Sequence, residues 1–134
     1  MYLLVPIDGS EAASRAVEFA AKLVAEQNSN LIILVVRQYT VGRHVTAATR
    51  SEEDIDRLLD KSRKLAMWAG CKQVAIAQLT SRDIAYAIVN FAEEQKVDLI
   101  VMGASGMGGF KAFLIGSISA EVLRKSVCPV TIVH

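Results

Sequence analysis

The chain has 134 residues, a formal net charge of +1 and an apolar fraction of 52%. That length suits one domain, residues 1–134, with a full hydrophobic core, and the apolar fraction excludes a disordered chain. Acidic and basic residues are mixed along it, with neither the basic stripe of a nucleic-acid binder nor a polybasic membrane patch, so nucleic acid and membrane are not expected partners. The longest apolar runs are strand-sized, far short of a bilayer span. The opening "MYLLVPIDGS" lacks the basic head and small-residue cleavage site of a secretory signal. Cys71 and Cys128 have no CxxC spacing and read as reduced, structural thiols, which predicts a cytoplasmic protein. His44 and His134 lie far apart and form no metal-ligand motif.

Taken in order, the elements alternate. "YLLVPI" (Tyr2 to Ile7) is a buried-type strand ending in the turn Asp8-Gly9-Ser10, and Ser10 is placed to cap a helix. That helix carries Ala13, Ala16, Val17, Ala20, Leu23 and Val24 on one face. "NLIILVV" (Asn30 to Val36) is a second strand, followed by a polar connection. A helix from about Ser51 places Ile55, Leu58, Leu59, Ser62, Leu65, Ala66 and Ala69 inward and stops at Gly70. Met67 and Trp68, at its end, are expected to pack at the core or its margin. "KQVAIAQL" is the third strand. Ser81 is expected to open a third helix bearing Ile84, Ala85, Ile88, Val89 and Ala92. "VDLIVMG" is the fourth strand, and Ser117 begins a fourth helix with Ile118, Val122 and Leu123. "CPVTIV" closes the chain.

Continuous apolar strands alternating with amphipathic helices predict an α/β fold, an open, doubly wound parallel sheet of five strands with four helices. Ligands of such sheets sit beyond the carboxyl ends of the strands, where the strand order reverses. The first strand ends in Pro6-Ile7-Asp8-Gly9. The fourth runs into "MGASGMGGFKAFLIGS" (Met102 to Ser117), which holds five of the eight glycines. If those two strands are neighbours, Asp8 and the glycine stretch face one crevice; a flavodoxin-type order also puts the first strand at the reversal. Glycines let backbone N–H groups converge on an anion, and the helix beginning at Gly116-Ser117 adds free donors and a positive dipole end. Phosphate is the ligand that this combination favours. Ser117 is placed to cap its helix or to donate to a phosphate oxygen.

Familiar phosphate motifs do not fit. Gly103 and Gly108 have P-loop spacing, but Gly109 stands where lysine belongs; Gly106-Met107-Gly108 leads to Lys111 instead of a third glycine. Gly103-Ala104-Ser105-Gly106 misses the nucleophile elbow by one residue. What remains is G-x2-G-x9-G-S, carried by Gly103, Gly106, Gly116 and Ser117.

That spacing, with "LLVPIDGSEAASRAVEFA" at the start and "VDLIVMGASGMGGFKAFLIGSISAEVLRKSVCPVTIV" at the end, resembles the universal stress protein family, in its ATP-binding branch. The resemblance implies a Rossmann-like sheet, related to the adenine nucleotide alpha hydrolases, with strand order 3-2-1-4-5, which sets Asp8 beside the glycine stretch. It implies that Asp8 and Val36 border the adenine and ribose while Pro6 shapes the turn. Met102, Gly103 and Gly106 then approach the ribose and first phosphates, and Gly116, Ser117 and Ile118 hold the outer phosphates. ATP or AMP, with Mg²⁺ as a companion ion, is the implied cofactor, and a homodimer paired through the terminal strand "PVTIVH" the implied assembly. The sequence departs from the family where histidines are frequent, at Val35 and Ser105, and "TSRD" replaces the usual turn before the third helix.

For phosphoryl transfer an enzyme needs a charged clamp, metal carboxylates and a positioned base. Here the crevice offers one carboxylate, Asp8, with Lys111 read as a surface charge; Arg43, His44 and His134 are assigned no role. The expected function is that of a nucleotide-dependent stress-response regulator. The alternatives are a nucleotide-independent dimeric interaction protein and a slow ATPase or autophosphorylating protein, with an FMN-binding flavodoxin-like protein behind them.

Overall fold

The computed structural model describes residues 1–39, 50–104 and 115–134. The elements run β1 (Tyr2–Pro6), α1 (Glu11–Gln27), β2 (Asn30–Gln38), α2 (Glu52–Trp68), β3 (Val74–Ser81), α3 (Ile84–Glu94), β4 (Leu99–Gly103), α4 (Ser117–Lys125) and β5 (Val130–Val133). All pairings are parallel, in the order β3-β2-β1-β4-β5. β1 lies at the centre, with Leu3 opposite Leu31 of β2 and Leu99 of β4.

Side chains alternate across a strand, so the sheet divides its apolar residues between two faces. Leu3, Val5, Leu31, Ile33 and Val101 pack with α1 and α2 through Ala16, Val17, Ala20, Val24, Ile55 and Leu59. Leu4, Ile32, Leu34, Ile100 and Met102 pack with α3 and α4 through Ala85, Ile88, Ala92 and Val122. Full burial of a leucine or isoleucine is worth about 1.5–3 kcal/mol, so the central strands, walled on both sides, anchor the molecule.

Three helices begin on a side-chain cap. Ser10 Oγ accepts from Ala13 N–H at 3.1 Å, Ser51 Oγ from Asp54 N–H at 3.1 Å, and Asp83 Oδ1 from Tyr86 N–H at 3.0 Å. Ser81 therefore does not open α3. It is the last residue of β3, and its hydroxyl accepts from Asp83 N–H at 3.1 Å. At α4 the cap is Gly116, which has no capping side chain, and Ser117 is already the first helical residue, so Ser117 does not cap its own helix.

Met67 and Trp68 do not pack inward: they are 52% and 80% exposed. The inward stripe of α2 is Ile55, Leu59, Ser62 and Ala66, and the next two residues rotate off it at about 100° per residue. β3 is an edge strand, and Ala75, Ile76, Gln78 and Thr80 are exposed, so it is less buried than its apolar run implied. In α4, Ile118 and Leu123 are exposed at 38% and 39%, and Ser119 shares the buried face with Val122.

Candidate functional site

The crossovers from β1 and β2 carry α1 and α2 to one face, and those from β3 and β4 carry α3 and α4 to the other. The order therefore reverses between β1 and β4, and the crevice opens at their carboxyl ends. The pairing of these two strands brings the Asp8 turn and the start of the glycine stretch to one place.

On the β1 side, the Ile7 N–H donates to Leu34 O at 2.8 Å and carries the ladder one residue past Pro6. Asp8 is exposed, and its Oδ1 accepts from Ser10 N–H at 2.9 Å, so the carboxylate braces the turn into α1. Gly9 has φ +88°, the left-handed region that glycine enters without penalty. The guanidinium of Arg50, 42 positions away, reaches this turn: its Nη2 donates to Asp8 O, and a Cβ built on Gly9 would stand 2.9 Å from Arg50 Nη1. Val36 is half-buried on β2, against the side of the sheet that carries α3 and α4.

On the β4 side, Met102 is buried on that same face. The reason Gly103 must be glycine lies in packing. A Cβ there would lie 2.6 Å from the carbonyl carbon of Ala12 and 2.8 Å from its oxygen, so the first turn of α1 sits directly on the bare backbone. Beyond it the chain is stitched. Ala104 N–H donates to Val133 O at 2.8 Å, Gly116 N–H donates to Ala104 O at 2.7 Å, and Ser119 Oγ donates to Gly103 O at 3.0 Å.

These bonds place Gly116, Ser117 and Ile118 next to the end of β4, although Gly116 lies 13 positions from Gly103. They also decide which donors the crevice has. The Gly116 N–H is committed to Ala104, so among the described residues the groups left to face an anion at this helix start are the first-turn N–H groups of Ser117, Ile118 and Ser119, which have no intrahelical partner. The helix dipole adds a partial positive charge there, and Gly116 sets no side chain over it. The arrangement is chemically suited to a phosphate. Gly106, Ser105 and Lys111 lie outside the described residues, as do Arg43 and His44.

The family model for universal stress proteins matches residues 1–134. The chain belongs to the universal stress protein family. The similarity extends to a universal stress protein of Bacillus subtilis, 34% identical, covering 98% of this chain and 97% of the relative. One from Methanocaldococcus jannaschii is 32% identical over 98% of this chain and 80% of its own length. Among solved structures, a universal stress protein in complex with cAMP superposes with a TM-score of 0.80 at 29% identity, covering 100% of this chain and 96% of that one. The universal stress protein fold, with order 3-2-1-4-5, is therefore the one that this chain adopts.

Two residues of this site escaped sequence reasoning. Ser119 looked like an ordinary helical position; its signal was a serine on the stripe that Val122 shares. Arg50 stands just before the Ser51 cap, and nothing in linear spacing announces that its side chain returns to the end of β1. Among the described residues no group of three or more His, Cys, Asp and Glu is gathered to hold a metal, and no helix is long and apolar enough to cross a membrane.

Proposed function

We propose that this universal stress protein binds an adenine nucleotide, ATP or AMP, in the crevice between the ends of β1 and β4, and acts as a nucleotide-dependent stress-response regulator working as one 134-residue domain. The observation that carries the reading is the juxtaposition of the Asp8 turn with the uncapped start of α4, held there by the Gly116–Ala104 and Ser119–Gly103 bonds. Phosphates lie on the first-turn N–H groups of Ser117 and Ile118, with Gly103 and Gly106 leading to them. The base and ribose lie toward Asp8 and Val36, with Pro6 shaping the turn and Met102 toward the ribose. The relative crystallised with cAMP supports an adenine nucleotide as the ligand class. Mg²⁺, where used, arrives with the nucleotide. Hydrolysis, if it occurs, is expected to be slow, because among the described residues the crevice offers one exposed carboxylate, Asp8, and no group gathered to hold a metal.

Calorimetric titration of stripped protein with ATP, AMP and cAMP, with and without Mg²⁺, tests this. Saturable binding near one site per chain is expected, and ligand at about a hundred times its dissociation constant should stabilise the fold by about 2.7 kcal/mol. A flat trace from folded protein refutes it. The second reading, a homodimer that works without nucleotide, rests on β5: among the described residues it pairs with β4 alone, which makes Val130 to Val133 an edge strand that a second copy could pair with. Light scattering of the stripped protein decides whether that dimer exists.

A further inference from the structure

Arg50 is a cation delivered to the crevice from outside the glycine motif. Its backbone is fixed on two sides. Arg37 Nη2, on β2, donates to Arg50 O at 3.0 Å, and Ser51, next in the chain, caps α2. Its half-buried side chain lies over the Asp8–Gly9 turn, with the fork of the guanidinium toward Gly9 and Nη2 on the Asp8 carbonyl. A single carbonyl oxygen takes one of the five N–H donors of a guanidinium, a hydrogen bond made in the plane of the group, so it leaves the planar face to other partners.

Charge decides which part of a nucleotide meets that face. At the β1 end the Arg50 cation and the Asp8 carboxylate lie beside one turn, and their fields largely offset each other. At the α4 end the first-turn donors and the dipole present net positive potential. The phosphates are drawn to α4, and the uncharged base is left to the β1 end. There half-buried Val36 at the end of β2 offers apolar contact, and Arg50 is the planar group above the turn.

We propose that Arg50 is a binding residue of the crevice, whose guanidinium stacks on the purine base at the β1 end, with Arg37 as the positioning residue that holds it there. The assignment rests on the adenine-nucleotide reading given above. It separates arginine from lysine, because a lysine keeps the charge and can reach the Asp8 carbonyl but has no planar face.

The test compares wild type, Arg50→Gln and Arg50→Lys by calorimetric titration with adenosine, AMP and ATP, alongside a thermal melt of each variant. Stacking predicts that both substitutions weaken all three ligands alike, by about fivefold, while the ligand-free melt is unchanged. Wild-type affinity in Arg50→Lys would overturn the proposal, since charge or the carbonyl bond would then suffice. A loss growing from adenosine to ATP would overturn it in favour of a phosphate contact. Unchanged affinity in both variants would remove Arg50 from the site while leaving the nucleotide reading intact. If wild type binds none of the three, the nucleotide reading fails first and this assignment falls with it.

Discussion

Gly103→Ala isolates the contact between α1 and β4. The added methyl would stand 2.6 Å from the carbonyl carbon of Ala12, 2.8 Å from its Cβ and 2.8 Å from its oxygen. Carbon atoms in good contact are about 3.5–4.0 Å apart, so the helix must retreat by roughly 1 Å or the strand end must bend. Two of the three atoms are backbone, which no rotamer change moves aside. Overpacking of this kind costs about 1–3 kcal/mol. For a chain of this length, about 2 kcal/mol lowers Tm by about 6–10 °C. Urea unfolding followed by circular dichroism measures it, with the slope against denaturant expected to stay at the wild-type value. Adding Ala12→Gly should restore only a minor part, since it removes the Cβ and leaves the carbonyl group. Stability within about 0.5 kcal/mol of wild type, or full recovery in the double variant, would refute the close approach and return Gly103 to the role of a loop glycine.

Other substitutions separate stability from binding. Ser119→Ala removes the donor to Gly103 O and should cost about 1–2 kcal/mol in urea unfolding, because it strips a partly buried carbonyl of its partner. Gly116→Asp adds a capping side chain at φ −64°, so its thermal melt should be equal to or slightly above that of wild type. The same carboxylate lies where phosphate is proposed to bind, and ATP titration should show a loss of affinity of at least tenfold. Cys71 is buried against the α1–α2 face, and that desolvation raises its pKa; a backbone hydrogen bond at Gln73 works in the opposite direction and is the weaker influence. A thiol reagent at pH 8 should therefore label Cys71 far more slowly in folded than in urea-unfolded protein. Because the folded pKa lies above the unfolded one, the stability that Cys71 contributes is complete below the unfolded thiol pKa and is lost as pH rises toward the folded value. Unfolding free energy should decline over that window in wild type and less so in Cys71→Ala.

Much of the fold was legible because its signals are local. Strand-length apolar runs, helical stripes, the cap Ser10 and the helix start near Ser51 are short-range patterns, and the structure has them where the spacing put them. Errors arose where a neighbour in space decided the outcome. Ser81 and Asp83 are both competent caps two residues apart, and the extension of β3 to Ser81 selects Asp83. Met67 and Trp68, at the end of an amphipathic helix, were expected at the core or its margin, and the rotation of the helix turned them outward. In α4, Ser119 took an inward place because Gly103 O needed a donor there.

The candidate site divides the same way. The glycine spacing and the strand-to-turn passage at Asp8 are written in the chain, and they were enough to indicate a phosphate-friendly crevice and a family. Their physical assignments came from packing. Gly103 is bare because α1 rests on it, and Gly116 has its N–H tied to Ala104, which shifts the free donors to Ser117 and the residues after it. The sequence by itself determined the α/β alternation and the two-faced burial of the central strands, since each depends on residues within a turn or two of one another. The adjacency of β1 to β4 was conditional in the residues and implied only by the family resemblance, and the tertiary structure alone decided the closure of Gly116 onto Ala104 and the return of Arg50 to the end of β1. Those contacts join residues far apart in the chain, and their free energy exists only once the sheet has brought them together.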